Sequence, residues 1–125
     1  MKLLLDTQIV LWLLADNRAL KAQARRTIEA ADAVYVSSIT PWEVAIKVGL
    51  GKLDVDLERF DAELTRMAFE PLAITWAHTR ALRRLPRLHG DPFDRMLVAQ
   101  AISESMQLLT SDAALAHYGA PVTLV

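Results

Sequence analysis

Cysteine and long apolar runs are both absent from this sequence of 125 residues. The lack of cysteine excludes a small disulfide-bonded scaffold and fits a reducing compartment. The longest unbroken apolar run, residues 9–15, is far shorter than the ~18 residues that indicate a membrane span. Asp6, Thr7 and Gln8 interrupt the apolar N-terminus, so we do not expect a signal peptide. The sequence therefore predicts a cytoplasmic protein with no membrane segment.

The sequence also lacks an excess of either charge. Its 14 Lys and Arg residues and 15 Asp and Glu residues give a formal net charge of −1. A chain this close to neutral has no overall positive field, so any contact with a nucleic acid must come from a local patch. In contrast, 53% of the residues are hydrophobic, which is enough for one core without metal or disulfide support. We expect a single domain over residues 1–125.

Short apolar runs alternate with helical patterns along the chain. Residues 3–5, 34–36, 108–110 and 122–125 have the character of strands buried on both faces. Residues 69–74 are a weaker candidate, in which Pro71 favours an edge position. The segments between these runs carry apolar residues three or four positions apart, as amphipathic helices do. This order predicts a three-layer α/β/α domain with a central, mainly parallel sheet of four to five strands.

Four carboxylates lie close to the ends of the predicted strands, where parallel sheets bind ligands. Asp6 follows the first strand, Asp112 follows the run that ends at Thr110, and Glu43 and Asp94 lie near the start of two predicted helices. On a helical wheel Asp94 falls on the apolar face, so it should point toward the sheet. Clustered carboxylates with few matching cations favour a divalent metal, and oxygen ligands favour Mg²⁺ or Mn²⁺.

Each acid also has a purely structural interpretation. Asp6 and Asp112 could cap the helices that follow them. Glu43 has capping-box spacing from Thr40 and could also pair with Lys47, four residues later. The structural and the metal-binding interpretations both remain open at this point.

Four segments, taken together, resemble the acidic motifs of PIN-domain nucleases. They are LLLDT at the N-terminus, SSITPWEVAIK around Glu43, HGDPFDRMLVAQA around Asp94, and LLTSD at Asp112. In particular, the segments resemble the VapC family of bacterial toxin ribonucleases, and the resemblance spans essentially the whole chain. It implies a Mg²⁺- or Mn²⁺-dependent endoribonuclease that cleaves RNA, is inhibited by a cognate antitoxin protein, and forms a homodimer.

The resemblance also implies roles for individual residues. The catalytic and metal-binding quartet would be Asp6, Glu43, Asp94 and Asp112. Polar neighbours of the metal would be Thr7, Asp91, Thr110 and Ser111. Asp91 precedes a proline and could instead act only as an N-cap. A carboxylate-held metal can lower the pKa of an attacking water and neutralise phosphate charge, and Glu43 would serve as a ligand or as a base that orients this water. One or two ions could bind.

The densest basic stretch of the chain precedes the DPFDR motif and includes His89. It predicts contacts with RNA phosphates, for which the candidates are Arg83, Arg84, Arg87 and Arg95. A solvated helix face is the structural alternative for the same residues.

Three other functions compete with this prediction. A phosphatase of the haloacid-dehalogenase type also has an aspartate after its first strand, but it needs a second acid two residues later, where this sequence has Gln8. A receiver domain needs an acidic doublet before its first helix, which is missing here. A catalytically weak PIN-like module that binds an antitoxin on DNA remains as the alternative.

Overall fold

Five parallel strands form the centre of the structure, a computed structural model that describes residues 1–125. The strands are β1 (Lys2–Leu5), β2 (Ala33–Ser37), β3 (Glu70–Leu72), β4 (Gln107–Thr110) and β5 (Val122–Leu124). They lie in the order β3-β2-β1-β4-β5, and every neighbouring pair is parallel. The α-helices are α1 (Thr7–Leu14), α2 (Ala22–Ala30), α3 (Ile39–Gly49), α4 (Leu57–Arg66), α5 (Trp76–Arg84) and α6 (Pro92–Ser103), and a 3₁₀ helix covers Ala113–Tyr118.

Strand β1 occupies the middle of the sheet because its side chains are apolar on both faces. Leu4 belongs to the hydrophobic core on one face of the sheet, and Leu5 belongs to the core on the other. The register pairs Leu5 with Leu109 of β4. The carboxyl ends of β1 and β4 therefore lie side by side, and the residues that follow them meet at one edge.

Helices cover both faces of the sheet. Helices α5 and α6 pack on the face that includes Leu4, and helices α1, α2 and α4 pack on the face that includes Leu5. Helix α3 contributes to both cores, through Ile39 on one face and Val44 on the other. This arrangement confirms the predicted three-layer α/β/α fold with a parallel sheet.

The weak strand candidate is confirmed as β3, at the edge of the sheet. Its Pro71 pairs in register with Val36 of β2, and an edge strand tolerates a residue without an N–H group. Near the end of α6, Ile102 is 46% exposed, whereas residues 96–101 are buried. None of the helices has the length and apolar character that a membrane crossing requires.

Candidate active site

One pocket of about 380 Å³ at the carboxyl end of the sheet is lined by five acidic side chains. They are Asp6, Glu43, Asp91, Asp94 and Asp112. Thr7 and Ser111 line the same pocket, together with Lys47 and Lys52. The structure thus brings together all four carboxylates of the quartet, from α3, α6 and the segments that follow β1 and β4.

Asp6 does not cap helix α1, although it stands at the N-cap position. Its Oδ2 accepts a hydrogen bond from the Thr110 hydroxyl at 2.6 Å, which joins the ends of β1 and β4. The residue is only 6% exposed. Burial raises the pKa of the Asp6 carboxyl, the charges of Glu43 and Asp112 raise it further, and the Thr110 hydrogen bond opposes the rise. The capping interpretation of Asp6 is therefore wrong, and Thr110 orients the carboxylate.

Helix α3 begins at Ile39, earlier than the capping box required. The Ser37 hydroxyl accepts the Ile39 N–H at 3.1 Å, so the helix starts here and Thr40 lies within its first turn. The Thr40 hydroxyl instead shares a hydrogen bond of 3.1 Å with the Thr7 hydroxyl. The capping-box interpretation is wrong for this reason, and Glu43 is free to line the pocket.

The two carboxylate oxygens of Glu43 have different surroundings. Oε2 accepts a hydrogen bond from Lys47 Nζ at 2.8 Å, which confirms the predicted pairing of these residues. Oε1 is buried and has no hydrogen-bond partner. A buried carboxylate oxygen without a partner is costly, so this atom indicates a missing ligand.

Asp91 is the N-cap of helix α6. Its Oδ1 accepts the N–H groups of Phe93 at 2.8 Å and of Asp94 at 3.3 Å, which confirms the capping prediction. Asp94 then projects from the first turn into the pocket, with its side chain 16% exposed. Burial raises the pKa of Asp94 to about 7, and the charges of the neighbouring acids Asp6, Asp91 and Glu43 contribute, whereas His89 opposes the rise.

Asp112 is both a cap and a member of the cluster. Its Oδ1 accepts the Ala114 N–H at 2.9 Å, as the capping interpretation predicts, and its Oδ2 lies 3.1 Å from His89 Nε2. His89 Nδ1 accepts the Asp91 N–H at 3.1 Å, so a neutral His89 carries its proton on Nε2 and donates it to Asp112.

His89 contacts the acidic cluster, a role that the sequence analysis did not assign to it. It was assigned to the basic stretch that contacts RNA, whereas its Nε2 lies 3.7 Å from Asp94 Oδ2 and closer still to Asp112. Ligand atoms of His89, Asp94 and Asp112 all lie within 4.8 Å of one another. Its position in HGDPFDR, two residues before the cap Asp91, was the available signal.

A divalent metal ion fits these residues. Carboxylate oxygens are ligands that both Mg²⁺ and Mn²⁺ accept. Glu43 Oε1 has no hydrogen-bond partner, and burial, followed by the charges of neighbouring acids, raises the pKa values of Asp6 and Asp94. A bound cation would relieve all three.

The four predicted RNA-binding arginines lie outside the acidic pocket. Arg83, Arg84 and Arg87 are exposed at and beyond the end of α5. Arg95 is half-buried, and its guanidinium donates to the Leu85 carbonyl at 3.5 Å instead of pairing with an acid. Arg87 and Arg95 line a second pocket with His89, which adjoins the acidic cluster through that histidine.

Comparisons with known proteins agree with this fold. A sequence model of the PIN domain matches residues 3–121. Among solved structures, the VapBC2 complex from Rickettsia felis bound to a DNA fragment from its promoter superposes with a TM-score of 0.74, at 17% identity over 100% of this chain and 98% of that one. A toxin-antitoxin complex from Klebsiella pneumoniae superposes with a TM-score of 0.65, at 21% identity over 96% of this chain and 94% of that one. FitAcB from Neisseria gonorrhoeae superposes with a TM-score of 0.60, at 16% identity over 93% of this chain and 91% of that one. No curated protein sequence matches significantly.

Proposed function

We infer the function from the family: this chain belongs to the PIN-domain family, and we propose that it is a divalent-metal-dependent endoribonuclease, the toxin of a toxin-antitoxin pair. PIN domains are generally nucleases. The observation that carries the proposal is the buried, unpartnered Oε1 of Glu43 in a pocket shared with Asp6, Asp94 and Asp112. RNA is the proposed substrate class and the cytoplasm the proposed place of action, with the nuclease domain covering residues 1–125.

The proposed mechanism assigns one task to each side chain of the site. Asp6, Glu43, Asp94 and Asp112 would hold the ion, which when bound would lower the pKa of the attacking water and neutralise phosphate charge. Glu43 would bind the ion or orient the water through Oε1.

Hydrogen bonds on the far side of these carboxylates keep them in place. Thr110 donates to Asp6, His89 donates to Asp112, and Asp91 fixes the helix turn that carries Asp94. Substitution of residues that make such supporting contacts commonly lowers metal affinity or activity by ~10- to 100-fold. Of the polar neighbours predicted from the sequence, Thr110 and Asp91 would therefore act through the ligands, whereas Thr7 is hydrogen-bonded to Thr40 and Ser111 only lines the pocket.

Metal removal tests the proposed chemistry. The purified chain, freed of any partner, should cleave a mixed pool of single-stranded RNA with Mg²⁺ or Mn²⁺ and should stop in excess EDTA, because the water would lose the charge that activates it. Gel analysis of the products before and after readdition of Mg²⁺ gives the result. Equal cleavage in EDTA would contradict the metal mechanism, and DNA binding without any RNA cleavage would support the alternative of a binding module.

The exposed arginines supply the proposed contact with RNA. Arg83 and Arg84 end helix α5, and Arg87 leads into the pocket that adjoins His89. Cations on this side would hold the phosphate backbone next to carboxylates that would otherwise repel it. Arg95 is half-buried and lines the same pocket as Arg87, and we propose that its positive charge also contacts the RNA phosphates.

A protein antitoxin and a second copy of the chain are the proposed partners. The similar structure from Klebsiella pneumoniae is a toxin-antitoxin complex, which supports the antitoxin. For the homodimer, the support is an apolar stripe formed by Trp42 and Ile46 of α3 and by its C-cap residue Leu50, which are 53%, 37% and 64% exposed. Residues four apart lie on one helix face, so the three form one patch.

Light scattering tests the homodimer with a matched pair of variants. Leu50→Lys should weaken the dimer by about tenfold or more, since burial of one leucine contributes ~1.5 to 3 kcal/mol. Leu124→Lys is the control, because Leu124 is 48% exposed on the edge strand β5 and lies outside the stripe. A wild-type chain that is monomeric at high concentration would contradict the dimer.

A further inference from the structure

Lys47 places a positive charge inside the acidic pocket. It lies one turn after Glu43 on α3, and its Nζ is 2.8 Å from Glu43 Oε2. The hydrogen bond to Glu43 raises the pKa of Lys47 against the effect of burial, and the charges of Asp91 and Asp94 raise it further. Lys47 also lines the pocket that contains Asp91 and Asp94.

We propose that the ammonium group of Lys47 takes the place of a second metal ion, so that the site holds a single divalent ion. This inference rests on the proposed metal-dependent function and concerns the number of ions, which the sequence left open. A two-metal site clamps the attacking and leaving oxygens between ions ~4 Å apart, and two ions together need more ligand oxygens than one. Here Oε2 of Glu43 is already bound by Lys47, and only Oε1 lacks a partner.

The positions of the other ligand atoms agree with one ion. Only one group of three candidate ligands has atoms within 4.8 Å of one another, namely His89, Asp94 and Asp112, and no second group of this kind lies in the pocket. Asp6 Oδ2 is engaged by the Thr110 hydroxyl. Glu43 Oε2 and Asp6 Oδ2 are thus already hydrogen-bonded, which leaves fewer free carboxylate oxygens for a second ion.

The charge of the pocket leads to the same conclusion. Five acidic and two basic side chains line it, so its formal charge is −3 when every acid is ionised. One divalent ion would leave the pocket slightly negative, whereas two would make it positive before any substrate binds. Without the charge of one lysine, whichever it is, two divalent ions would balance the acids. Of the two lysines, only Lys47 also occupies a carboxylate oxygen, so its loss removes a charge and frees Glu43 Oε2 for a second ion.

Titration with Mn²⁺ in the absence of RNA tests the proposal. Electron paramagnetic resonance measures free Mn²⁺, and therefore the number of ions bound to each chain at pH 8. We expect one tightly bound ion for the wild type and for Lys47→Arg, which keeps the charge. For Lys47→Met and Lys47→Gln we expect two ions per chain, the second within about a hundredfold of the affinity of the first. Lys52→Met is the matched control and should bind one ion, since Lys52 lines the same pocket but pairs with no acid.

Each outcome supports or overturns the inference. Two ions on the wild type, or one ion on both folded uncharged variants, would overturn it. Failure of both uncharged variants to fold, with Lys47→Arg folded by circular dichroism, would make Lys47 a structural counter-ion and would also overturn it. A wild type that binds no Mn²⁺ and cleaves RNA in EDTA would instead contradict the proposed function, so the two failures are distinguishable.

Discussion

Asp94→Asn should lower RNA cleavage at least about a hundredfold while the chain remains folded, a loss that corresponds to ~2.7 kcal/mol of transition-state stabilisation. Asparagine has the same shape, and the N–H of residue 94 is already accepted by Asp91, so helix α6 keeps its cap. The ion, however, would lose an anionic ligand and the water its activating charge. We expect comparable losses for Asp6→Asn, Glu43→Gln and Asp112→Asn. Single-turnover cleavage of an RNA pool in Mg²⁺ measures the effect.

A binding measurement separates a lost ligand from a damaged fold. Mg²⁺ at a hundred times its dissociation constant should stabilise the wild type by ~2.7 kcal/mol, and each of the four variants should show a smaller shift in melting temperature. Asp56→Asn is the matched control. Asp56 caps α4 by accepting the N–H groups of Glu58 and Arg59, and it lies outside the acidic pocket. It should leave both cleavage and the Mg²⁺ response unchanged.

A second control concerns substrate binding. Arg83→Ser and Arg84→Ser should weaken RNA binding and flatten its dependence on salt, because each removes a phosphate contact. They should leave the Mg²⁺-induced melting shift intact, since both side chains lie outside the acidic pocket. If all four acidic substitutions retain both cleavage and the melting shift, the carboxylates have structural roles only and the proposed function is wrong.

The sheet could be predicted because its strands are short and continuously apolar. Such runs indicate strands that are covered on both faces, and the helical segments between them require parallel pairing. Even the edge position of β3 followed from Pro71. The start of α3 could not be predicted in the same way. The helix starts where the Ser37 hydroxyl accepts the N–H of Ile39. Residue spacing does not record which hydroxyl is close enough to accept that bond.

The convergence of the acids could be predicted from topology alone, since parallel strands bring their carboxyl ends to one edge. The hydrogen bonds that hold these acids in place could not be predicted in this way. Thr110 reaches Asp6 across 104 positions of sequence, and it does so because β4 pairs beside β1 with Leu5 opposite Leu109. His89 joins the site because its ring nitrogen accepts the Asp91 N–H. These contacts depend on strand register and loop conformation, which a list of motifs does not contain.

The metal-free protein should become less stable as the pH rises from about 4 to about 7. The pKa of Asp94 is raised to about 7 in the folded chain, mainly by burial and then by Asp6, Asp91 and Glu43. In the unfolded chain this carboxyl returns to its ordinary value of 3.8. Within this interval the unfolded chain has released the proton and the folded chain still holds it, so rising pH favours unfolding. The raised pKa of Asp6 acts in the same direction.

The size of this effect follows from the difference between the two pKa values. Each pH unit corresponds to ~1.4 kcal/mol, so the whole interval would amount to ~4 kcal/mol for a fully enclosed carboxyl. The pocket is open to water, which screens the charges, and we expect a fall of ~1 to 1.5 kcal/mol between pH 5 and pH 8. The lowered pKa values of Asp32 and Glu63 affect stability only at more acidic pH.

Urea unfolding at pH 5, 6, 7 and 8 measures the fall, first in EDTA and then in saturating Mg²⁺. Asp94→Asn should flatten the EDTA series, because asparagine does not titrate, and Asp56→Asn should leave it unchanged. In Mg²⁺ the wild type should show the opposite slope, since the ion binds the ionised carboxylates and competes with protons for them. This reversal requires that the same acids hold both the proton and the metal. Stability in EDTA that stays constant or rises between pH 5 and pH 8 would mean that Asp94 is ionised throughout, and that the four carboxylates do not repel one another as their convergence requires.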